Sequence, residues 1–157
     1  MNTAIIYISK HGTTEKVAQK LSANLEVQPD NLINLRENRN PDINKYDRLI
    51  IGGSIHAGMI QKRVKDFCEK NLQSLLKKEV GLFMCGMQEK QLEEEFGNAF
   101  PEKLRKHSKA NLLAGGEFIF EKMNFLEKAI VKKVANVDRS VSNINYEEIV
   151  KFGKAFY

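Results

Sequence analysis

The first strand of the chain and the loop after it decide the fold; they read Ala4-Ile5-Ile6-Tyr7-Ile8-Ser9-Lys10-His11-Gly12-Thr13-Thr14. Residues 4–8 are almost all apolar, which is typical of a central parallel strand buried on both faces. A polar loop with one glycine follows, and apolar residues then recur at helical spacing from residue 13 to residue 25. The chain therefore opens with a strand, a hydroxyl-rich loop and a helix.

The rest of the chain continues this alternation of strands and helices. We predict four more strands, at residues 32–35, 47–51, 80–85 and 112–120. Helical patterns follow the third strand and occupy residues 91–106, about 121–135 and 146–156. Pro101 makes residues 91–106 either one kinked helix or two short ones, and Gly115-Gly116 must bend or end part of the last strand.

Strands that alternate with helices over 157 residues predict a single domain, residues 1–157, of the α/β class. We expect a doubly wound parallel sheet of five strands with helices on both faces. Ligands of such sheets bind beyond the carboxyl ends of the strands, near the point where the strand order switches. The loops after the first, third and fourth strands are therefore the places to look for a site.

The loop after the first strand has the chemistry of a phosphate site. Hydroxyls at Ser9, Thr13 and Thr14 can donate to phosphate oxygens, while Gly12 lets the backbone come close. The amides at the start of the helix also favour an anion. The loop has neither a Walker sequence nor a three-glycine dinucleotide fingerprint, so one phosphate fits it better than a pyrophosphate. In the alternative interpretation, Gly12 and the threonines only turn the chain and cap the helix.

A hydroxyl-rich loop directly after an N-terminal strand resembles the FMN phosphate site of flavodoxins. The resemblance covers nearly the whole chain and implies a strand order of 2-1-3-4-5 with FMN as cofactor. Residues 52–58 are similar to the family's first flavin-flanking loop, and Cys85-Gly86-Met87 falls where the second should be. The cofactor-binding residues that this implies are Ser9, Lys10, His11, Gly12, Thr13, Thr14, Ser54, Ile55, His56, Ala57, Gly58, Cys85, Gly86 and Met87.

Within that superfamily the sequence most resembles the menaquinone-dependent protoporphyrinogen oxidases. This likeness rests on Tyr46-Asp47, on residues 51–58 and on a basic stretch at residues 125–133. It implies an FMN oxidoreductase that passes electrons from a porphyrinogen to a quinone. The chain lacks the long arginine-rich insertion that we associate with these oxidases, so the resemblance does not define the substrate.

Composition separates an enzyme from an electron carrier only in part. The formal net charge is +5, whereas carrier flavodoxins are typically acidic, and the chain has no Trp to stack on a flavin. Both features favour an enzyme, since positive charge attracts anionic substrates and stabilises reduced flavin. The alternatives are a non-enzymatic electron carrier that docks redox-protein partners and a regulatory FMN-binding module.

The remaining chemically active residues predict little beyond the cofactor. We nominate no catalytic side chain apart from His56, which is a weak candidate because it could equally be a solvated loop residue. Cys85 has a conceivable redox role, although a core residue is the commoner interpretation. No histidine or carboxylate pair has metal-ligand spacing, so we expect no metal. No aromatic residues interleave with the lysines, so nucleic acid is not expected either.

The chain begins without the layout of a signal peptide and has only two distant cysteines, which predicts a cytoplasmic protein. Residues 120–134 leave one question open. They combine apolar residues at helical spacing with four lysines. Either this helix packs on the sheet with its lysines extended to water, or it contacts the inner face of a membrane.

Overall fold

A central sheet of five parallel strands organises the computed structural model, which describes residues 1–9, 12–56, 58–87, 89–118, 124–135 and 140–157. The strands are β1 (Thr3–Tyr7), β2 (Leu32–Asn34), β3 (Arg48–His56), β5 (Glu79–Cys85) and β6 (Ala110–Leu113). They lie in the order β2-β1-β3-β5-β6, and every neighbouring pair is parallel. This is the predicted order 2-1-3-4-5, so the expected fold class is confirmed. The short strand β4 (Met59–Ile60) runs antiparallel to the end of β3.

Helices cover both faces of the sheet. The described helices are α1 (Thr13–Leu25), α2 (Lys62–Lys70), α3 (Leu72–Leu75), α4 (Glu89–Ala99), α5 (Glu102–His107), α6 (Phe125–Ala135) and α7 (Tyr146–Lys154), with a 3-10 turn at Pro29–Asn31. Apolar side chains of α1 and α7 join one hydrophobic cluster, and those of α2, α4 and α5 join the other. Among the described helices, none is long and apolar enough to span a bilayer.

Strand β1 shows why this architecture follows from the sequence. All five of its residues are buried, with Ile5 on the face covered by α1 and α7 and Ile6 on the opposite face. Because successive side chains of a strand point to opposite faces, a strand between two helical layers must be apolar throughout. Each fully buried isoleucine contributes about 1.5–3 kcal/mol relative to an exposed one.

Two elements are longer or more divided than predicted. Strand β3 continues through Gly52-Gly53 to His56, although the glycines suggested a loop from residue 52 onward. The glycines are needed within the strand because a Cβ on Gly52 would lie 2.4 Å from the Phe83 ring. Pro101 separates two helices, α4 and α5, and so decides between the two alternatives left open for residues 91–106.

The chain leaves the sheet after β6, and residues 115–144 form a separate segment that we call the excursion. Strands β7 (Gly115–Phe118) and β8 (Val141–Ile144) form a separate antiparallel pair at its base, and α6 comes between them in the sequence. The predicted strand at 112–120 is therefore divided at Gly115, whose φ of 75° is left-handed. Strand β8 was not predicted. Its four residues, Val-Ser-Asn-Ile, show no clear alternation of apolar and polar side chains.

Helix α6 does not pack on the sheet in the way that one of the two interpretations required. None of its described side chains, residues 125–133, is buried. Phe125 is 89% exposed, Leu126 67% and Ile130 52%. The part of segment 120–134 that precedes Asn124 lies outside the described residues.

Candidate functional site

Three loops meet at the carboxyl edge of the sheet, because their strands are in direct register. Tyr7 of β1 pairs with Gly52 of β3, and Ser54 of β3 pairs with Cys85 of β5. The loop after β1, the hairpin after β3 and the loop after β5 therefore start from one edge. The structure brings together the described members of all three predicted groups. Lys10, His11 and Ala57 lie outside the described residues.

The loop after β1 is shaped to present backbone amides. Gly12 has a φ of 84°, and its N–H donates to the hydroxyl oxygen of Ser9 at 3.0 Å. Helix α1 begins at the next residue, and within the described chain no side chain caps its N-terminus. The first amides of a helix lack partners inside the helix and carry its positive dipole end. This N-terminus is therefore free to hold an anion.

The two threonines of the loop differ in environment. Thr14 is 2% exposed, and its side chain makes a hydrogen bond with the thiol of Cys85. Thr13 lies nearer the surface, and its hydroxyl donates to Oε1 of Glu117 at a distance of 3.4 Å. Thr13 could therefore give its hydroxyl to a ligand at the helix start only in competition with Glu117, whereas Thr14 offers chiefly its backbone amide.

Burial makes Cys85 an unreactive thiol. The residue is 1% exposed, and desolvation raises the pKa of its thiol to about 12. The hydrogen bond from Thr14 acts in the opposite direction and the charge of Glu117 in the same direction, but both effects are smaller. Since the thiolate is the reactive form of cysteine, Cys85 serves as a packing residue behind the loop.

Charged residues that sequence reasoning missed surround the same loop. Arg36, which follows β2, donates from Nη1 to the backbone oxygen of Ser9 at 3.3 Å. Lys16, in the second turn of α1, places Nζ 3.0 Å from both carboxylate oxygens of Glu117. Lys16 could have been suspected, since it follows the loop by one helical turn. Nothing local in the sequence indicates Glu117, which arrives from the excursion.

The hairpin after β3 forms the second wall of the site. His56 pairs with Met59 across the turn, and Gly58 adopts a φ of 79° that glycine tolerates. Ser54 Oγ lies 3.0 Å from Nε2 of His56. Met59 is 69% exposed at the end of this hairpin. Ser54 therefore ends the part of β3 that pairs with β5, and Ile55, His56 and Gly58 lie in a hairpin instead of in an irregular loop.

The loop after β5 forms the third wall, and it is tightly held. The N–H of Gly86 donates to the carbonyl of Gly115 at 2.8 Å. A Cβ on Gly86 would lie 2.7 Å from the Leu92 side chain, and one on Gly116 would lie 3.0 Å from the Gly86 carbonyl carbon. A side chain at Gly86 would thus displace Leu92, and one at Gly116 would press on the Gly86 backbone. Met87 follows, half-buried.

The residue types of the three loops fit a cofactor that has a phosphate at one end and an apolar group at the other. The anion-holding amides of α1 lie at one side, and the apolar side chains of Ile55, Met59 and Met87 lie on the other two loops. No aromatic side chain belongs to the described residues of these three loops. Aliphatic and thioether side chains would therefore cover the apolar group.

Comparison with known proteins agrees with this geometry. A family model described as "Flavodoxin domain" matches residues 4–144. A short-chain flavodoxin associated with a non-canonical PDU bacterial microcompartment is similar in structure, with 20% identity, a TM-score of 0.59, and 99% of this chain and 96% of that chain covered. Oxidised flavodoxin 1 from Bacillus cereus shows 18% identity and a TM-score of 0.56 over 98% of this chain and 95% of that one. No curated protein matches the sequence.

Proposed function

Because the chain belongs to the flavodoxin domain family, we propose that it binds FMN and carries electrons between redox-protein partners. The observation that carries the proposal is the uncapped N-terminus of α1, which offers amides to a phosphate at the carboxyl edge of the sheet. When bound, the flavin supplies the redox chemistry, and the protein binds, orients and tunes it.

Each wall of the site has a part in this proposal. Gly12 and the first amides of α1 hold the phosphate, assisted by the hydroxyls of Ser9 and Thr13. The hairpin from Ser54 to Gly58 and the loop Gly86-Met87 flank the ring. Lys10, His11 and Ala57 stay predictions from the sequence.

The carrier function is preferred over the porphyrinogen oxidase that the sequence suggested. Both structural relatives described above are named as flavodoxins, and both match this chain over almost their full lengths. The expectation of protoporphyrinogen oxidase activity has no support among the comparisons. A carrier also needs no side-chain acid or base, and among the predicted site residues only His56 was a weak candidate for one.

A binding experiment tests the cofactor. Apoprotein should quench FMN fluorescence on titration, and the holoprotein should release FMN, not FAD, on heating. Thr13→Val removes one hydroxyl and should weaken FMN binding about tenfold, since a hydrogen bond to a charged group contributes about 1.5–3 kcal/mol. The matched control is Thr3→Val, the same change at the amino end of β1. Equal FMN affinity in the two variants would show that the Thr13 hydroxyl does not hold the phosphate.

A second experiment tests the carrier function. Stepwise reduction of the holoprotein should resolve two one-electron steps, and a flavodoxin reductase with NADPH should transfer electrons through it to cytochrome c. A single two-electron step together with no transfer to cytochrome c would contradict the proposal.

Helix α6 favours a second candidate, an FMN oxidoreductase that meets its porphyrinogen and quinone substrates at the inner face of a membrane. The exposed side chains of Phe125, Leu126 and Ile130 share the helix with exposed Lys132 and Lys133. Apolar residues beside lysines are typical of helices that lie in the surface of an anionic bilayer.

Vesicle sedimentation and a coupled assay test this second candidate. The protein should sediment with vesicles that contain anionic lipid and not with purely zwitterionic ones, and Phe125→Ser should reduce the bound fraction. Protoporphyrinogen oxidation with menadione, followed by porphyrin fluorescence, should then exceed a control with free FMN. No acceleration over that control would exclude the oxidase.

A further inference from the structure

A carboxylate lies beside the N-terminus of α1, where a phosphate is expected. Glu117 belongs to β7, and its side chain is only 6% exposed. Lys16 Nζ lies 3.0 Å from each of its oxygens, and the hydroxyl of Thr13 donates to Oε1. Burial by itself would disfavour the charged form, but hydrogen bonds from Ser142, Lys16 and Thr13 hold the pKa of Glu117 below its usual range. The group is therefore an anion at neutral pH.

Glu117 uses the groups that a phosphate would also use. Thr13 has one hydroxyl proton and donates it to Glu117, so a phosphate held by the amides of α1 would compete for that proton and would lie about 6 Å from the carboxylate, or two hydrogen-bond lengths. Like charges at such a distance repel each other, and Lys16 is already paired with Glu117. Glu117 thus opposes the phosphate in two ways: by repelling it and by holding a cation that could attract it.

The simplest alternative is that Glu117 only attaches the excursion to the sheet. Backbone bonds already make that attachment, from Gly86 to Gly115 and from Asn145 to Ala114. A carboxylate is not needed for it, whereas a carboxylate is the group that discriminates between a charged and an uncharged ligand end.

We propose that Glu117 is a specificity-determining residue that weakens binding of the phosphate end of the cofactor. Without Glu117, the N-terminus of α1 would favour FMN over riboflavin more strongly than the site does with it. This inference rests on the proposed function, because it concerns the same cofactor. It predicts that neutralising Glu117 strengthens FMN binding and leaves riboflavin binding unchanged.

The test compares two flavins in two variants. Glu117→Gln keeps the shape of the side chain and should tighten FMN binding about tenfold at pH 7.5, as expected when a repulsion near 6 Å is removed. Riboflavin affinity should change less than about twofold, because riboflavin carries no phosphate. The control is Glu102→Gln, which removes the same charge from an ion pair with Lys106 on α5. It should change neither affinity.

A second variant tests the inference even if Glu117→Gln does not fold. Lys16 is 43% exposed, so Lys16→Met should leave the circular dichroism spectrum unchanged. It leaves Glu117 without its cation and should weaken FMN binding about tenfold, again without effect on riboflavin.

The outcomes separate this inference from the function on which it rests. If the wild-type protein binds neither flavin, the proposed function is wrong and the inference falls with it. If it binds FMN and neither variant alters the ratio of FMN to riboflavin affinity, the inference alone is wrong. A parallel loss of both affinities in Glu117→Gln would show a structural role and overturn the inference as well.

Discussion

Gln61 holds Ser54 with both ends of its side-chain amide. Its Oε1 accepts from the backbone N–H of Ser54 at 2.9 Å, and its Nε2 donates to the hydroxyl of Ser54 at 2.8 Å. The residue directly precedes α2, so it ties the start of that helix to the last part of β3. The fixed Ser54 in turn lies within hydrogen-bond distance of His56.

Because of this contact, we predict that the protein becomes less stable when Gln61 is replaced by leucine. Gln61→Leu leaves the partly buried N–H of Ser54 without its acceptor, so we expect unfolding free energy to fall by about 1–3 kcal/mol. Denaturant titration measures this. Gln73→Leu, the same change at an exposed position of α3, is the control and should be nearly neutral. Equal stabilities of the two variants would contradict the importance of the contact.

Two glycines should respond in opposite directions to the same substitution. Gly52 pairs with Phe83 across β3 and β5, and a Cβ there would lie 2.4 Å from the ring of a fully buried side chain. Gly52→Ala should therefore cost at least about 1–3 kcal/mol through overpacking. Gly97→Ala, inside α4, meets only the end of Arg105 at 3.9 Å and should stabilise by about 0.5–1 kcal/mol. Melting temperatures of both variants check the signs.

Glu79 predicts part of the acid sensitivity of the fold. Burial works against its charged form, but hydrogen bonds from Lys109 and from Arg48, whose Nε lies 2.8 Å away, hold its pKa below the model-compound value of 4.5. A carboxyl whose pKa is lower in the folded state stabilises the fold at neutral pH. That contribution disappears as the pH falls through the folded-state pKa.

Glu79→Gln should therefore cost about 1–3 kcal/mol at pH 7, where Arg48 loses a charged partner while 10% exposed. The difference from wild type should shrink below pH 4.5 and disappear once the wild-type carboxyl is protonated. Urea titrations at several pH values measure it. A stability difference independent of pH would show that the charge of Glu79 does not matter.

Both cysteines should be inert until the protein unfolds. Cys68 and Cys85 are 0% and 1% exposed, and burial raises the pKa of each thiol, that of Cys85 to about 12. We expect no reaction with Ellman's reagent at pH 8 in buffer and rapid reaction of two thiols in guanidinium chloride. Rapid labelling of Cys85 in the folded protein would revive the redox role that its place in the sequence suggested.

The sheet could be predicted from the sequence because its signals are local. An apolar strand such as residues 4–8 carries its burial in its own composition, and strand order follows from the family resemblance. The extension of β3 was hidden because Gly52-Gly53 is typical of a turn. Only the Phe83 ring on the next strand explains why glycine stands inside a strand there.

The loops of the site could be predicted from the sequence, but the charged residues around them could not. The residue types of Gly12 and Thr13, and their position after a strand, predict the phosphate site. Glu117 comes to Thr13 from 104 residues away, and Arg36 comes to Ser9 from 27. Such contacts depend on tertiary structure, because residues so far apart in sequence carry no local pattern that indicates their proximity.

The excursion begins and ends at one point beside the sheet. Gly115 faces Ile144 across the β7–β8 pair, and the N–H of Asn145 donates to the carbonyl of Ala114 at 2.9 Å. Closing a loop costs little more when the loop is lengthened, about 0.6 kcal/mol for each doubling. Chain can therefore be gained or lost between these two points with little effect on the sheet. We therefore expect that a change in the segment beyond this junction leaves the sheet and the loops after β1 and β5 in place.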